Sequence, residues 1–157
     1  MIKLIKISLL ILLLIPMIEV GADKSPASQV IQVIVNDQSQ MRTLNRQQVM
    51  SLFLGRSRSF PNGKASKTFD HKVGSLLRQN FFEWLTGKSI SDIDAYWARL
   101  RYSGRTSPPK VLKNQSETIR RVGSNPDAIA YVREQDPMLL AKKGIVVVHT
   151  LRSTDAK

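Results

Sequence analysis

The sequence has 157 residues, of which 42% are hydrophobic and 23% are charged, a composition typical of one globular domain. It contains no cysteine, which excludes disulfides, thiolate metal sites, a cysteine nucleophile and a lipid anchor on an N-terminal cysteine. The formal net charge of +12 favours an anionic partner such as phosphate, anionic lipid, an acidic protein or nucleic acid, although a basic surface can also serve solubility alone.

The first segment of the chain, 1–22, predicts a secretory signal peptide. Lys3 and Lys6 precede an almost wholly apolar run over 7–15, and the small residue Ala22 stands before a cleavage site. The alternative is a retained membrane anchor, but spanning a bilayer takes roughly 20 apolar residues, more than this run provides. We therefore expect export to a bacterial periplasm, with full secretion as the alternative.

Removal of the signal peptide leaves a mature domain over 23–157, with its core at about 30–151. A second possible cut follows Ala27. The mature chain is long enough to bury one sizeable hydrophobic core.

The first half of the domain predicts a strand, a helix and a second strand. The run over 30–35 has apolar residues at both odd and even positions, which is typical of a parallel-sheet strand buried on both faces. Asn45 and Gln48 form a capping-box pattern that opens a helix over 45–54. A basic loop then leads to a short strand over 66–69.

The second half continues the alternation of helices and strands. A capping-box pattern at Ser91 and Asp94 places the start of one helix. This order favours an α/β fold, a single three-layer lobe whose mostly parallel sheet is flanked by helices. The predicted elements are helices over 75–86, 91–102, 114–123 and 136–142, and strands over 110–112, 128–132 and 145–151.

The sequence offers little support for catalysis or for a cofactor. His71 and His149 lie far apart in the chain, and His149 falls inside a strand pattern, which favours a packed histidine over a general base. No nucleophile-elbow, zinc-protease or P-loop motif occurs. We expect a protein that is not an enzyme and that holds no metal or cofactor.

A candidate anion site lies where the strand over 66–69 leads into the helix over 75–86. Gly74 permits a tight backbone approach, and Ser75 stands at the N-cap position. The backbone amides of Leu76, Leu77 and Arg78 would then point at one spot, and amides at a helix N-terminus bind anions.

Positive side chains close to this helix start would strengthen such a site. His71, Lys72 and Arg78 supply them within a few residues of Ser75. The simpler alternative is that Ser75 only caps its own helix, a contribution of about 1 kcal/mol.

Five separated segments resemble, in order, the phosphate substrate-binding proteins of ABC transporters. The resemblance spans roughly 30–148 and is to a short, single-lobe branch of the type 2 periplasmic binding proteins. It implies a periplasmic-binding-protein-like domain related to phosphate transport, with an ABC permease or another membrane protein as a partner. The segments are 33–36, 44–55, 60–64, 95–104 and 125–132.

The resemblance implies only part of a phosphate site. Full-length relatives clasp phosphate between two lobes and use an R-x-x-x-S-G-T segment on the second lobe. Aligned on Phe81, the serine of that segment falls at Ser75, the glycine at Leu76, the threonine at Leu77 and the arginine at His71. Since an imidazole cannot match the bidentate grip of arginine, and the first lobe has no counterpart, we expect weak binding of phosphate or another small oxyanion.

Two other functions remain open from the sequence. The chain could be a non-catalytic interaction module that has lost its ligand and uses basic residues such as Arg56 and Arg58 to bind a membrane partner or an acidic protein. Nucleic-acid binding rests on net charge alone, because no recognised nucleic-acid-binding motif occurs, and we do not expect it.

Overall fold

The computed structural model describes residues 29–104 and 107–155, so the predicted signal peptide and both cleavage sites lie outside the described residues. None of the helices within these two ranges is both long and apolar enough to cross a bilayer. Strands and helices alternate as predicted, in the order β1 (Val30–Asn36), α1 (Arg46–Phe53), β2 (Lys67–Asp70), α2 (Leu76–Thr86), α3 (Ile90–Tyr102), β3 (Lys110–Val111), α4 (Gln115–Gly123), β4 (Ala128–Arg133), α5 (Pro137–Ala141) and β5 (Ile145–Arg152).

The strands form one mixed sheet in the order β3-β2-β4-β1-β5. β2 is parallel to β3 and β4, whereas β1 is antiparallel to both of its neighbours, β4 and β5. Four of the five strands therefore run in the same direction, and the predicted α/β fold with a mostly parallel sheet is confirmed.

The direction predicted for β1 is wrong. Apolar residues at both its odd and its even positions predict a parallel strand, yet β1 runs antiparallel to both of its neighbours. Six of its seven residues are buried, because β1 lies between two strands and beneath helices on both faces. The pattern thus reports burial on both faces, which any covered central strand has, and does not report direction.

The helices cover both faces of the sheet and make three layers. On one face, α1, α2 and α3 pack on alternate residues of β1 and β4, including Val33 and Tyr131. On the other face, α4 and α5 pack through Val122 and Leu140 on the intervening residues, including Ala130. The larger core lies on the first face, directly beneath α2.

The starts of the helices show which local sequence patterns were reliable. The predicted capping box of α1 is present, with Asn45 and Gln48 exchanging two side-chain hydrogen bonds of 2.9 Å. The predicted cap at Ser91 is wrong, because α3 is capped two residues earlier by Ser89, whose hydroxyl accepts from the Asp92 amide and donates to its carboxylate. Ser89 and Asp92 have the same spacing as Ser91 and Asp94, so the capping-box pattern fits a helix start at either serine.

Candidate anion site

The segment between β2 and α2 has the predicted local structure. β2 ends at Asp70, Gly74 adopts a φ of +82°, and Ser75 is the N-cap of α2 with extended backbone angles. A φ in this left-handed region costs glycine little, and it turns the chain into the helix. The start of α2 therefore lies at the carboxyl end of a parallel strand.

Two of the three amides predicted for the site are not used by the cap of α2. In the part of the chain that the structure describes, the amides of Leu76 and Leu77 have no hydrogen-bond acceptor. The Arg78 amide, in contrast, donates to Ser75 Oγ at 3.3 Å, so the cap itself uses it. The Leu76 side chain is 66% exposed, whereas Leu77 is buried and lines a cleft of about 250 Å³ with Val30, Asn80 and Arg133.

The guanidinium of Arg78 is occupied by two carboxylates. Its Nε donates to Asp70 Oδ2 at 2.9 Å and its Nη2 donates to Asp94 Oδ1 at 2.7 Å. Arg78 is 5% exposed, and its guanidinium lies 5.3 Å from the centre of the Phe82 ring. Arg78 is thus a buried ion-pair partner, and its charge is already balanced.

His71, at the position of the arginine in the resembling family, points into the core. Its ring is 6% exposed, its Nε2 lies 2.8 Å from the carbonyl oxygen of Tyr131, and it packs against the Tyr131 ring. Since the acceptor is a carbonyl, Nε2 carries the proton and donates. Of the three positive side chains predicted for the site, Lys72 is the one that is exposed.

A buried hydrogen-bond network under the site was not predicted from the sequence. The Asp70 carboxylate accepts from the His71 amide, from Arg78 and from the Tyr131 hydroxyl. A signal was present in α2, where Arg78 stands three and four residues before Phe81 and Phe82 on the apolar face. A charged residue at a core position requires a buried partner.

The network changes the ionisation of two of its members. Burial raises the pKa of Tyr131 well above its ordinary value, and the negative charge and hydrogen bond of Asp70 raise it further. For Arg78, burial acts to lower the pKa, but the hydrogen bonds and charges of Asp94 and Asp70 outweigh it and the pKa is raised. Arg78 therefore stays positively charged and Tyr131 stays neutral.

The raised pKa of Tyr131 predicts a loss of stability in alkali. A tyrosine in the unfolded chain releases its proton near pH 10, whereas Tyr131 in the folded protein keeps it. This contribution is fully present below pH 10 and is lost as the pH rises toward the folded-state pKa. The free energy of unfolding should fall there by up to about 1.4 kcal/mol per pH unit.

Urea denaturation between pH 9 and pH 11 measures this slope. Tyr131→Phe should make the slope shallower, because it removes the titrating hydroxyl. The matched control is Tyr102→Phe, which alters a side chain that is 96% exposed and should keep the wild-type slope. Equal slopes for wild type and Tyr131→Phe would show that the Tyr131 proton is not held by the fold.

Each of the two histidines forms a hydrogen bond with a backbone carbonyl. His149 Nδ1 bonds the Leu44 carbonyl at 2.9 Å, which makes His149 a half-buried packing residue. Over 29–104 and 107–155, no three metal-ligating side chains come together.

No protein-family model matches the sequence, and no curated protein matches it at a significant level. Solved structures do match. An ABC-type phosphate transport receptor from Vibrio cholerae is 14% identical with a TM-score of 0.57, covering 78% of this chain and 46% of its own. PstS from Borrelia burgdorferi is 11% identical with a TM-score of 0.61, covering 77% and 47%.

The chain has the fold of a phosphate substrate-binding protein over part of that protein's length. A Clostridium perfringens phosphate ABC transporter substrate-binding protein, solved with bound phosphate, is 15% identical with a TM-score of 0.57 and matches over 77% of this chain and 44% of its own. The chain thus spans less than half the length of these relatives, and at such low identity the likeness concerns the fold. The resemblance predicted from the sequence is confirmed at that level.

Proposed function

We propose that the chain is an exported, non-enzymatic domain of the substrate-binding-protein type that binds phosphate or another small oxyanion weakly at the first turn of α2. The observation that carries this proposal is the pair of amides of Leu76 and Leu77, which have no acceptor within the described residues and follow Gly74 and Ser75 at the end of β2. Free amides at a helix N-terminus favour an anion. The exposed Lys72 adds positive charge nearby.

The same geometry argues for weak binding. Arg78 is neutralised by Asp70 and Asp94, and His71 donates to a backbone carbonyl, so neither side chain is free to grip an anion. An anion at the α2 amides would remain open to water, where each charged contact contributes little. Each of the solved relatives is more than twice as long as the region that this chain matches. The relative that was solved with bound phosphate therefore has a large part with no counterpart in the matched region.

The sequence and these neighbours support a periplasmic setting for the proposed function. The N-terminal pattern predicts a signal peptide and therefore a periplasmic location. The neighbours from Clostridium perfringens and Vibrio cholerae are proteins of phosphate transport, which supports our proposal of a small anion and an ABC permease as partners.

Removing one amide by proline substitution tests the site directly. Proline is tolerated at the first position of a helix, and the preceding Ser75 already has the extended angles that proline requires (φ −79°, ψ 137°). Leu76→Pro should therefore preserve α2 and abolish one donor. We expect phosphate affinity at low ionic strength to fall about threefold, because one hydrogen bond open to water contributes roughly 0.7 kcal/mol.

Isothermal titration calorimetry with phosphate and with sulfate measures this change. Leu76→Ala is the matched control, because it alters the same exposed side chain and retains the amide. Equal affinities for wild type and both variants would place the anion elsewhere. Absence of any heat with wild type would refute the anion proposal.

A second candidate function is the interaction module without a ligand. The internal pairing of both His71 and Arg78 favours it, because two of the three side chains predicted to attract an anion serve the fold instead. Under this alternative, wild type binds neither anion. A charge reversal at the exposed Arg56 should then release a periplasmic or membrane partner in a pull-down.

A further inference from the structure

A basic cleft lies between the end of α1 and the helix α3. Its volume is about 240 Å³, and its cationic side chains are Arg56, Lys88 and Arg99. Leu54 and Ile93, which are 4% and 1% exposed, form part of its apolar floor. The basic cleft is separate from the candidate anion site, because none of the residues that line it belongs to α2.

Hydrogen bonds of the fold set the walls of the basic cleft. The Tyr96 hydroxyl donates to the Leu54 carbonyl at 2.7 Å, which joins α3 to the end of α1. The Arg56 amide donates to the Ser51 carbonyl at 2.9 Å, which holds the backbone of the turn that follows α1. The shape of the cleft is therefore determined by the packed fold.

The three cations of the basic cleft lack close counter-charges. Each of their side chains is exposed, and within 29–104 and 107–155 none of them forms an ion pair. Asp92 is the one carboxylate that lines the cleft, and it accepts a hydrogen bond from the Ser89 hydroxyl at 2.7 Å. Three positive charges and one negative charge give the cleft a net charge of +2, which favours an anionic ligand.

The spacing of these cations favours a row of separated negative charges over a single small anion. Lys88 precedes α3 and Arg99 lies near its end, and a helix that rises 1.5 Å per residue spans about 14 Å from Ile90 to Arg99. Side chains on one face of an extended peptide repeat about every 7 Å. An extended acidic segment can therefore place carboxylates toward both ends of the cleft, whereas one phosphate can lie at one end only.

A membrane surface and a nucleic acid fit the basic cleft less well. Membrane-binding surfaces combine basic side chains with exposed apolar ones, and the exposed large apolar side chains of the described residues, such as Leu76 and Met138, do not line this cleft. Single-stranded nucleic acids stack their bases on aromatic rings. Tyr96 is the one aromatic residue of the cleft, and it is half-buried with its hydroxyl bound to the backbone.

We propose that the basic cleft docks an extended acidic segment of a partner protein. Carboxylates of the segment pair with Arg56, Lys88 and Arg99, and its backbone lies along α3 across Ala95. This docking does not depend on phosphate binding at α2, and it gives the interaction-module alternative a defined surface and an acidic partner.

Nuclear magnetic resonance titration of the full chain with a capped peptide in which glutamate alternates with alanine tests the docking. At low ionic strength the backbone amide signals of Ala95 and Arg99 should shift saturably, whereas that of Leu76 should stay in place. The same peptide with glutamine in place of glutamate should shift none of them. Phosphate bound at α2 would shift the Leu76 signal instead, so the two proposals can fail separately.

A double charge reversal locates the contacts. Arg56→Glu combined with Arg99→Glu should weaken binding of the glutamate peptide about tenfold or more, because two charged contacts are lost and two repulsive ones are added. The matched control combines Lys142→Glu with Lys143→Glu, which changes the net charge equally at two exposed lysines outside the cleft. It should weaken binding by less than about threefold, and the backbone amide spectrum of each variant verifies folding.

Four results would overturn the proposal. An Ala95 signal that the glutamate peptide does not shift would show that the cleft docks no such segment. Equal losses in the two double variants would mean that net charge alone attracts the peptide. Tighter binding of a single-stranded oligonucleotide of equal charge at Ala95 would make the cleft a nucleic-acid site. Sedimentation with phosphatidylglycerol vesicles that the Arg56 and Arg99 reversals abolish, and the control reversals do not, would make it a membrane contact.

Discussion

Replacing Arg78 with alanine should destabilise the protein by about 3–5 kcal/mol, the typical cost of removing one partner of a buried ion pair. The main cause is Asp70, whose side chain is 5% exposed and would lose the guanidinium that pairs with it. Asp94 contributes less, because its side chain is 46% exposed and water can replace Arg78. Urea denaturation at pH 7 measures the change.

Arg101→Ala is the matched control for this prediction. Arg101 lines the same cleft as Arg78, but its side chain is exposed and no ion pair holds it within the described residues. Surface substitutions of this kind usually change stability by less than about 0.5 kcal/mol. If Arg78→Ala costs no more than Arg101→Ala, the guanidinium does not balance Asp70 in the folded protein.

The order and type of the secondary-structure elements could be predicted because local signals agreed with burial. The capping box of Asn45 and Gln48, the serine before α2 and the apolar spacing within α2 all act over one or two turns of chain. Such patterns depend on neighbours close in sequence, and they also fixed the start of α2 at Ser75. That start alone leaves the amides of Leu76 and Leu77 without an acceptor inside the helix.

The side chains around the amides could not be predicted in the same way. Whether Arg78 faces solvent or the core depends on Asp70 and Asp94, which β2 and α3 bring to it through the tertiary fold. His71 is held by the carbonyl of Tyr131, 60 residues away in the chain. A positive residue near a helix start is therefore weak evidence for an anion site until its partners are known.

The direction of β1 was missed for a related reason. The apolar residues of β1 indicate that both of its faces are buried, and that burial depends on the helices above and below the sheet. Direction depends on how the chain enters the sheet, and in β1 it is set by pairing with β4 and β5, which come about a hundred residues later. The residue types along β1 therefore do not indicate the direction in which it pairs.

Phe81 occupies the centre of the larger core, and Phe81→Ala should cost about 3–5 kcal/mol, as large-to-small aromatic substitutions in cores do. Its ring is fully buried and stacks on Tyr131 at 3.6 Å between centroids, with edge contacts to Phe53 and Phe82. The substitution removes apolar burial and leaves a cavity between α2 and the sheet. It also removes the ring that packs on Tyr131, the hydrogen-bond partner of Asp70.

Two further variants separate these causes. Phe81→Leu fills most of the cavity and should cost less than half as much as Phe81→Ala, whereas Tyr102→Ala, at a side chain that is 96% exposed, should stay within about 0.5 kcal/mol of wild type. Because Tyr131 supports the loop before α2 through Asp70 and His71, Phe81→Ala should also speed amide hydrogen exchange over 71–75. A loss of stability without faster exchange in that loop would mean that the aromatic core and the start of α2 are independent of each other.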